Sequence, residues 1–227
     1  MRGDAVLCMV VHGLGADLNL NWLTTCITHH GVQGLVAIWL GAGDVVVKLF
    51  GDRREMIVGG FEYTGNAADV HGPFPHPTNG RLYWCHGRKG HTVKRRDGSL
   101  VHAGKASGIW SCLPDGEDVQ WHALGCMDNP VEVEFLPGGD IIGVVNLYYN
   151  QPRGDTLVHW LPGGAYERPD LPDVIADLPR TLDRMPIVHN YGHVAVSGFT
   201  RYRSGALDPA WRSEEHTSEL QSRLHLV

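Results

Sequence analysis

Two phrases of the same kind, set about 60 residues apart, restrict what this chain can fold into. The first is Asp69-Val-His-Gly-Pro-Phe-Pro-His-Pro-Thr-Asn-Gly-Arg-Leu-Tyr-Trp-Cys85. It opens on polar residues around His71, turns through Pro, Asn and Gly, and enters an aromatic strand at Arg81. The second is Asn129-Pro-Val-Glu-Val-Glu-Phe-Leu-Pro-Gly-Gly-Asp-Ile-Ile142. There Val131, Val133 and Phe135 alternate with Glu132 and Glu134 before a turn at Pro137-Gly138-Gly139. A weaker third copy starts at His193 and runs to Phe199.

Each full phrase is followed by a hairpin signal. Gly108 to His122 turns at Pro114-Asp115-Gly116, and Thr156 to Tyr166 turns at Pro162-Gly163-Gly164. Strand pair, loop and hairpin make four strands, the content of one propeller blade. The expected fold is all-β: a partial β-propeller with one short helical insertion at Leu171 to Leu182, and a further blade starting near Val188. Arg53 to Gly60 reads as a strand, as does Val45-Val46-Val47. Leu18 to Thr28 reads as a short helix, and Arg88 to Arg96 as a basic loop.

Composition divides the chain. Residues 1–50 contain no Pro, Tyr or Glu, and all 13 prolines follow Gly51. Residues 1–51 therefore form a separate N-terminal segment, with two readings: a cap packed on the propeller, or an out-of-frame stretch that is not native coding sequence. Residues 52–212 hold the propeller phrases. Residues 213–227 form a tail, because Arg212-Ser-Glu-Glu-His-Thr-Ser-Glu-Leu-Gln-Ser222 back-translates to a common sequencing-library adapter. Read as ordinary sequence, Ser213 to Leu220 is a capped helix.

The net charge of -6 and the 19% charged residues argue against a nucleic-acid partner. Five cysteines without a Cys-x-x-Cys spacing point neither to a disulfide framework nor to a zinc ribbon, and no Cys-x-x-Cys-His is present for covalent haem. The most apolar run, Gly34 to Phe50, is broken by Asp44 and Lys48 and is short for a membrane span. The first residues carry no apolar core leading to a small-residue cleavage site.

From Asp69 to Trp211 the order of features resembles the soluble quinoprotein glucose/sorbosone dehydrogenase family, and more nearly its planctomycete-type propeller domains. The matching phrases are His71 with Gly80-Arg81-Leu82-Tyr83, then Asn129-Pro130 to Gly139, then Asp155 to Pro169, then Ser197-Gly198-Phe199 to Tyr202. The resemblance implies a propeller of about six blades, of which about two and a half are present. It implies pyrroloquinoline quinone and calcium as cofactors, a sugar or other alcohol as substrate, and a periplasmic or extracytoplasmic location. His71 matches the general base and Asn129 a residue that touches the cofactor. The family has a basic residue before that Asn; here it is Asp128, a carboxylate beside an anionic quinone unless it holds a cation.

Other residues carry weaker chemistry. His189 and His193 bracket a loop-like Asn190-Tyr191-Gly192 and are both candidates to approach the axis from a blade edge, His193 as a cofactor-binding residue. Asp140 and Asp155 are hard-oxygen candidates for calcium, or turn residues. Cys85, His86, His91, His76 and His102 are candidate transition-metal ligands, although alternate strand residues face opposite ways. Trp84, Trp110, Trp121 and Trp160 read as packing between blades. The alternative functions are a non-catalytic propeller that binds a glycan or a protein, and a propeller acting on polysaccharide as a lyase or hydrolase.

Overall fold

The computed structural model describes residues 7–8, 26–27, 37–42, 44–50, 53–62, 70–87, 90–125, 127–148, 154–166, 171–176, 178, 183–196, 198–201 and 215–217. These residues form an all-β structure with one short helix. Most of the helix expected at Leu18 to Thr28 lies outside them. No helix among the described residues is long and apolar enough to cross a membrane.

In chain order, β1 (Leu7–Cys8) pairs with β2 (Cys26–Ile27). A three-stranded antiparallel sheet follows: β3 (Ala37–Ala42), β4 (Val45–Phe50) and β5 (Arg53–Gly59). This sheet runs across the change of composition at Gly51. The next sheet is an antiparallel meander of β6 (His71–Pro75), β7 (Leu82–His86), β10 (Ser107–Cys112) and β11 (Gln120–Gly125). Between β7 and β10 stands a separate hairpin, β8 (His91–Lys94) and β9 (Leu100–Gly104). The segment expected as a basic loop is therefore partly strand.

The second meander is β12 (Met127–Phe135), β13 (Ile141–Tyr148), β14 (Gly154–Trp160) and β16 (His189–Gly192). Here one expectation fails. After the turn at Pro162 the chain does not fold back on β14. Instead β15 (Gly164–Ala165) pairs in parallel with β11 of the preceding sheet. Gly163 N donates to the His122 carbonyl at 2.6 Å, and Tyr166 N donates to Leu124 at 3.2 Å. The fourth strand comes from residues 189–192, after helix α1 (Pro172–Ala176). The loop-like Asn190-Tyr191-Gly192 is thus strand, and Val188 belongs to the second meander rather than opening a third. Beyond it, β17 (Phe199–Arg201) pairs with β18 (Glu215–Thr217), where a helix reads from the sequence alone.

The turns follow their residues. In both Leu113–Glu117 and Leu136–Asp140 the first residue's N–H bonds the fifth residue's carbonyl at 2.9 Å. The fourth residue is Gly at φ +87° or +91°, the left-handed position that closes a three-residue hairpin loop.

Three apolar layers hold the sheets face to face. The first meander is covered on both sides, which explains why β7 and β10 are buried at every position. Leu82, Trp84 and Trp110 pack with Val46, Ile57 and Val58 of the β3–β5 sheet, and α1 adds Val174 and, just beyond it, Leu178. Tyr83, Cys85 and Ile109 pack on the opposite face against Val133, Phe135 and Trp160 of the second meander. The far face of the second meander, with Val131, Ile142 and Val144, is covered by Val196 and Phe199. The first strands of successive sheets also lie side by side: β3 against β6, β6 against β12, β12 against β17. The approach is close at Gly41 of β3, where a Cβ would stand 2.8 Å from the Val70 carbonyl oxygen.

Candidate functional site

The strands β6 and β12 each form the edge of their meander; β6 begins at His71, and Asn129 is the third residue of β12. His71 Nε2 lies 2.8 Å from Asn129 Oδ1, joining positions 58 residues apart. Both side chains are buried, at 9% and 7% exposed. The Asn oxygen only accepts, so Nε2 carries the proton and Nδ1 is the basic nitrogen of the neutral ring.

Both strands are bulged beside these residues. On β6 the register slips between His71 and Phe74; on β12 it slips between Pro130 and Glu132. The second bulge has a chemical consequence. Asn129 stands opposite Asn146 and Glu132 opposite Val144, two residues apart on β13. Asn129 and Glu132 therefore share one face, although a regular strand would send positions i and i+3 to opposite faces. Sequence reasoning treated Glu132 only as a polar alternator. A signal was present: Pro130 inside an alternating strand marks an edge or a bulge.

Glu132 is an unusual carboxyl group. Burial, with a smaller push from Glu134, raises its pKa from 4.5 to about 7, against the Phe199 N–H that favours its anion. The Phe199 N–H donates to Glu132 Oε2 at 2.7 Å. Burial also pushes the Cys85 thiol well above 9, and the Glu132 charge adds to this. Cys85 stands opposite His71 in the sheet ladder. This end of the two meanders thus gathers a histidine, an amide, a carboxyl that titrates near neutrality and an unreactive thiol.

Asp128, 3% exposed, precedes Asn129 at the same end. Asp155, 1% exposed, lies there too: Oδ2 accepts Val194 N–H at 2.8 Å and Ala195 N–H at 2.5 Å. It fixes a loop in which Ala195 has φ +56°. His193, exposed, sits in that loop. Asp140 lies elsewhere. It precedes Ile141, whose ladder partner Trp160 ends the strand that Asp155 helps to begin. Five strand residues separate the two ends, roughly 17 Å. Asp140 is exposed and faces His159 Nε2 at 3.2 Å. The two aspartates expected as calcium ligands therefore share no site. Among the described residues no group of three or more His, Cys, Asp or Glu has the arrangement of a metal site.

The candidate transition-metal set is divided by the strand alternation. Cys85 faces the second meander, and His76 lies on Phe135 at 4.4 Å. His86, His91 and His102 meet on the other face, around Trp110. Four of their nitrogens are engaged with protein groups, while His86 Nε2 is buried without a hydrogen-bond partner among the described residues. Trp110 Nε1 donates to His86 Nδ1 at 2.9 Å. His91 Nδ1 donates to the Ala106 carbonyl at 3.0 Å, so Nε2 accepts from His102 Nδ1 at 2.8 Å. Burial lowers the pKa of all three: it holds His91 at about 4 and His86 well below 6.5, and lowers His102.

One further Ser–His contact is present. Ser111 Oγ takes Arg81 Nε–H at 2.8 Å and shares a hydrogen bond with His122 Nε2 at 2.7 Å. Ser111 is 0% exposed, so this contact joins strands and does not present a nucleophile. In comparisons with known proteins, no family model matches the chain and no curated protein matches it.

Proposed function

We propose that the meanders are successive blades of a β-propeller and that the end carrying His71, Asn129 and Glu132 binds a sugar or other alcohol, with His71 accepting the hydroxyl proton and a separate two-electron acceptor taking the hydride in its oxidation. The His71–Asn129 hydrogen bond carries this reading. It brings together, across two sheets, the two residues that the resemblance singles out as base and amide. The propeller part draws on the face-to-face sheets and on the first strands lying side by side, since blades stack this way around an axis.

The chemistry follows from the groups present. A neutral imidazole is a proton acceptor near pH 7. With Nε2 donating to Asn129, Nδ1 carries the lone pair of the neutral ring. The amide and the carboxyl at this end are hydrogen-bond partners for hydroxyl groups. The quinone fits less well. β12 carries three acidic side chains (Asp128, Glu132 and Glu134), and neither β6 nor β12 carries Lys or Arg. Carboxylates repel a tricarboxylate in direct contact. The residues present therefore do not fit pyrroloquinoline quinone, and no step is drawn through it or through calcium.

The test is calorimetric titration of the purified chain with glucose, sorbitol and a series of simple alcohols. Saturable binding that is lost in His71→Ala and Asn129→Ala is the expected result. Reduction of an artificial dye once pyrroloquinoline quinone and calcium are added would establish oxidation. Sugar binding without dye reduction, at any quinone concentration, selects a non-catalytic glycan-binding propeller instead. A folded chain that binds none of the panel overturns the reading.

A further inference from the structure

Among the described residues, the contact between the second meander and the segment that follows β16 is not a backbone ladder. Three carboxylates make its polar bonds. Asp155 takes Val194 and Ala195 N–H, Glu132 takes Phe199 N–H at 2.7 Å, and Glu134 takes Arg201 N–H at 3.2 Å. Residues i and i+2 of one strand thus hold i and i+2 of the other through their side chains. Val196 and Phe199 close the same seam over Val131, Ile142, Val144 and Leu157. The face so covered is the one that carries Asn129 and Glu132.

We propose that this seam is a pH-dependent joint: ionisation of Glu132 loosens β17 and the residues leading into it from β12, baring the Asn129 face. The joint does not depend on which ligand the face takes. A carboxyl closed in beside Glu134 resists charge, and one bared to water does not, so the open state is favoured as protons leave. The strands packed on β12 offer Glu132 no compensating cation. Glu134 is on its own strand, β6 brings His71, and β7 brings Tyr83, Cys85 and neutral His86. β10 brings no charged side chain, its Cys112 lying on the opposite face, and β13 carries no Asp, Glu, His, Lys or Arg. Arg201 of β17 meets Glu134 through its backbone N–H.

The test is amide hydrogen exchange of Phe199 and Arg201 in the whole chain, corrected for intrinsic exchange. Taking the carboxyl from about 7 in the closed joint to an ordinary value when open, protection falls on the order of 30-fold between about pH 5.5 and 8. Glu132→Gln removes that fall, and Glu134→Gln keeps it. Flat protection in the wild type overturns the joint, as does a fall that survives in Glu132→Gln or vanishes in Glu134→Gln. A measurement without mutation is the carboxyl-carbon shift of Glu132. Its titration midpoint coincides with that of the exchange if the joint exists, and a mismatch overturns it.

Discussion

Cys85 and His86 are neighbours on β7, yet they look into two different chemistries. On the His86 side His86 and His91 are buried and His102 is half-buried beside Trp110. Four of their nitrogens are hydrogen-bonded to protein groups, and His86 Nε2 is buried without a partner among the described residues. On the Cys85 side His71 meets Asn129 across a sheet boundary, beside a carboxyl that titrates near 7. The first group is an interior: its polar atoms serve the packing of one sheet on another. The second is a junction of strand edges, where bulges turn polar groups toward each other. Histidine count distinguishes neither; what the ring nitrogens meet does.

The contrast is broken most strongly at Trp110. Trp110→Ala removes the ring around which the histidines pack and the donor to His86. We expect a loss of about 3–5 kcal/mol in denaturant unfolding. A loss under about 1 kcal/mol would show that the histidine side is no core.

The two sides respond to pH in opposite directions. Glu132 has a folded pKa of about 7, raised from 4.5. Its contribution to stability is full below 4.5 and is lost as pH rises through 7. His91 has a folded pKa of about 4, lowered from 6.5. Its contribution is full above 6.5 and is lost as pH falls through 4, with His86 and His102 acting in the same direction. Each effect approaches about 3 kcal/mol. In the wild type they oppose each other between about pH 4.5 and 6.5. Glu132→Gln should therefore steepen the acid loss of stability, and His91→Phe should flatten or reverse it. Equal pH profiles for the two variants would sink the assignment.

The two aspartates sharpen the comparison next. Asp155→Ala leaves two backbone N–H groups without their acceptor and should cost about 2–3 kcal/mol, whereas Asp140→Ala at its exposed turn should change stability by less than about 0.5 kcal/mol. Asn129→Ala should cost less than Asp155→Ala, about 1 kcal/mol for one neutral hydrogen bond. It should nonetheless abolish binding of sugars if the proposed function holds, which titration of the same variant decides.

Much of the fold was legible because turn chemistry is local. Pro114-Asp115-Gly116 and Pro137-Gly138-Gly139 close the hairpins expected of them, and the alternation of Val131 to Phe135 makes a strand. The turn at Pro162 looked the same, yet the strand after it went to another sheet. Only two residues pair there, and the parallel partner β11 offered bonds that local sequence does not encode. At the candidate site, His71 and Asn129 were named by resemblance alone and their contact was not foreseen. Glu132 was missed because strict alternation, without the bulge, turns it away from Asn129.

The chain's own residues settle the turns, the β-rich content, the aromatic layers and which positions can face a core, because these depend on side-chain volume, branching and allowed φ within a few residues. The sheet arrangement settles what no local rule reaches. It decides which strand supplies the fourth position of the second meander. It separates Asp140 from Asp155 and joins His71 to Asn129. It shifts Glu132 toward neutrality through burial, since desolvation and neighbouring charge exist only once distant strands enclose the group.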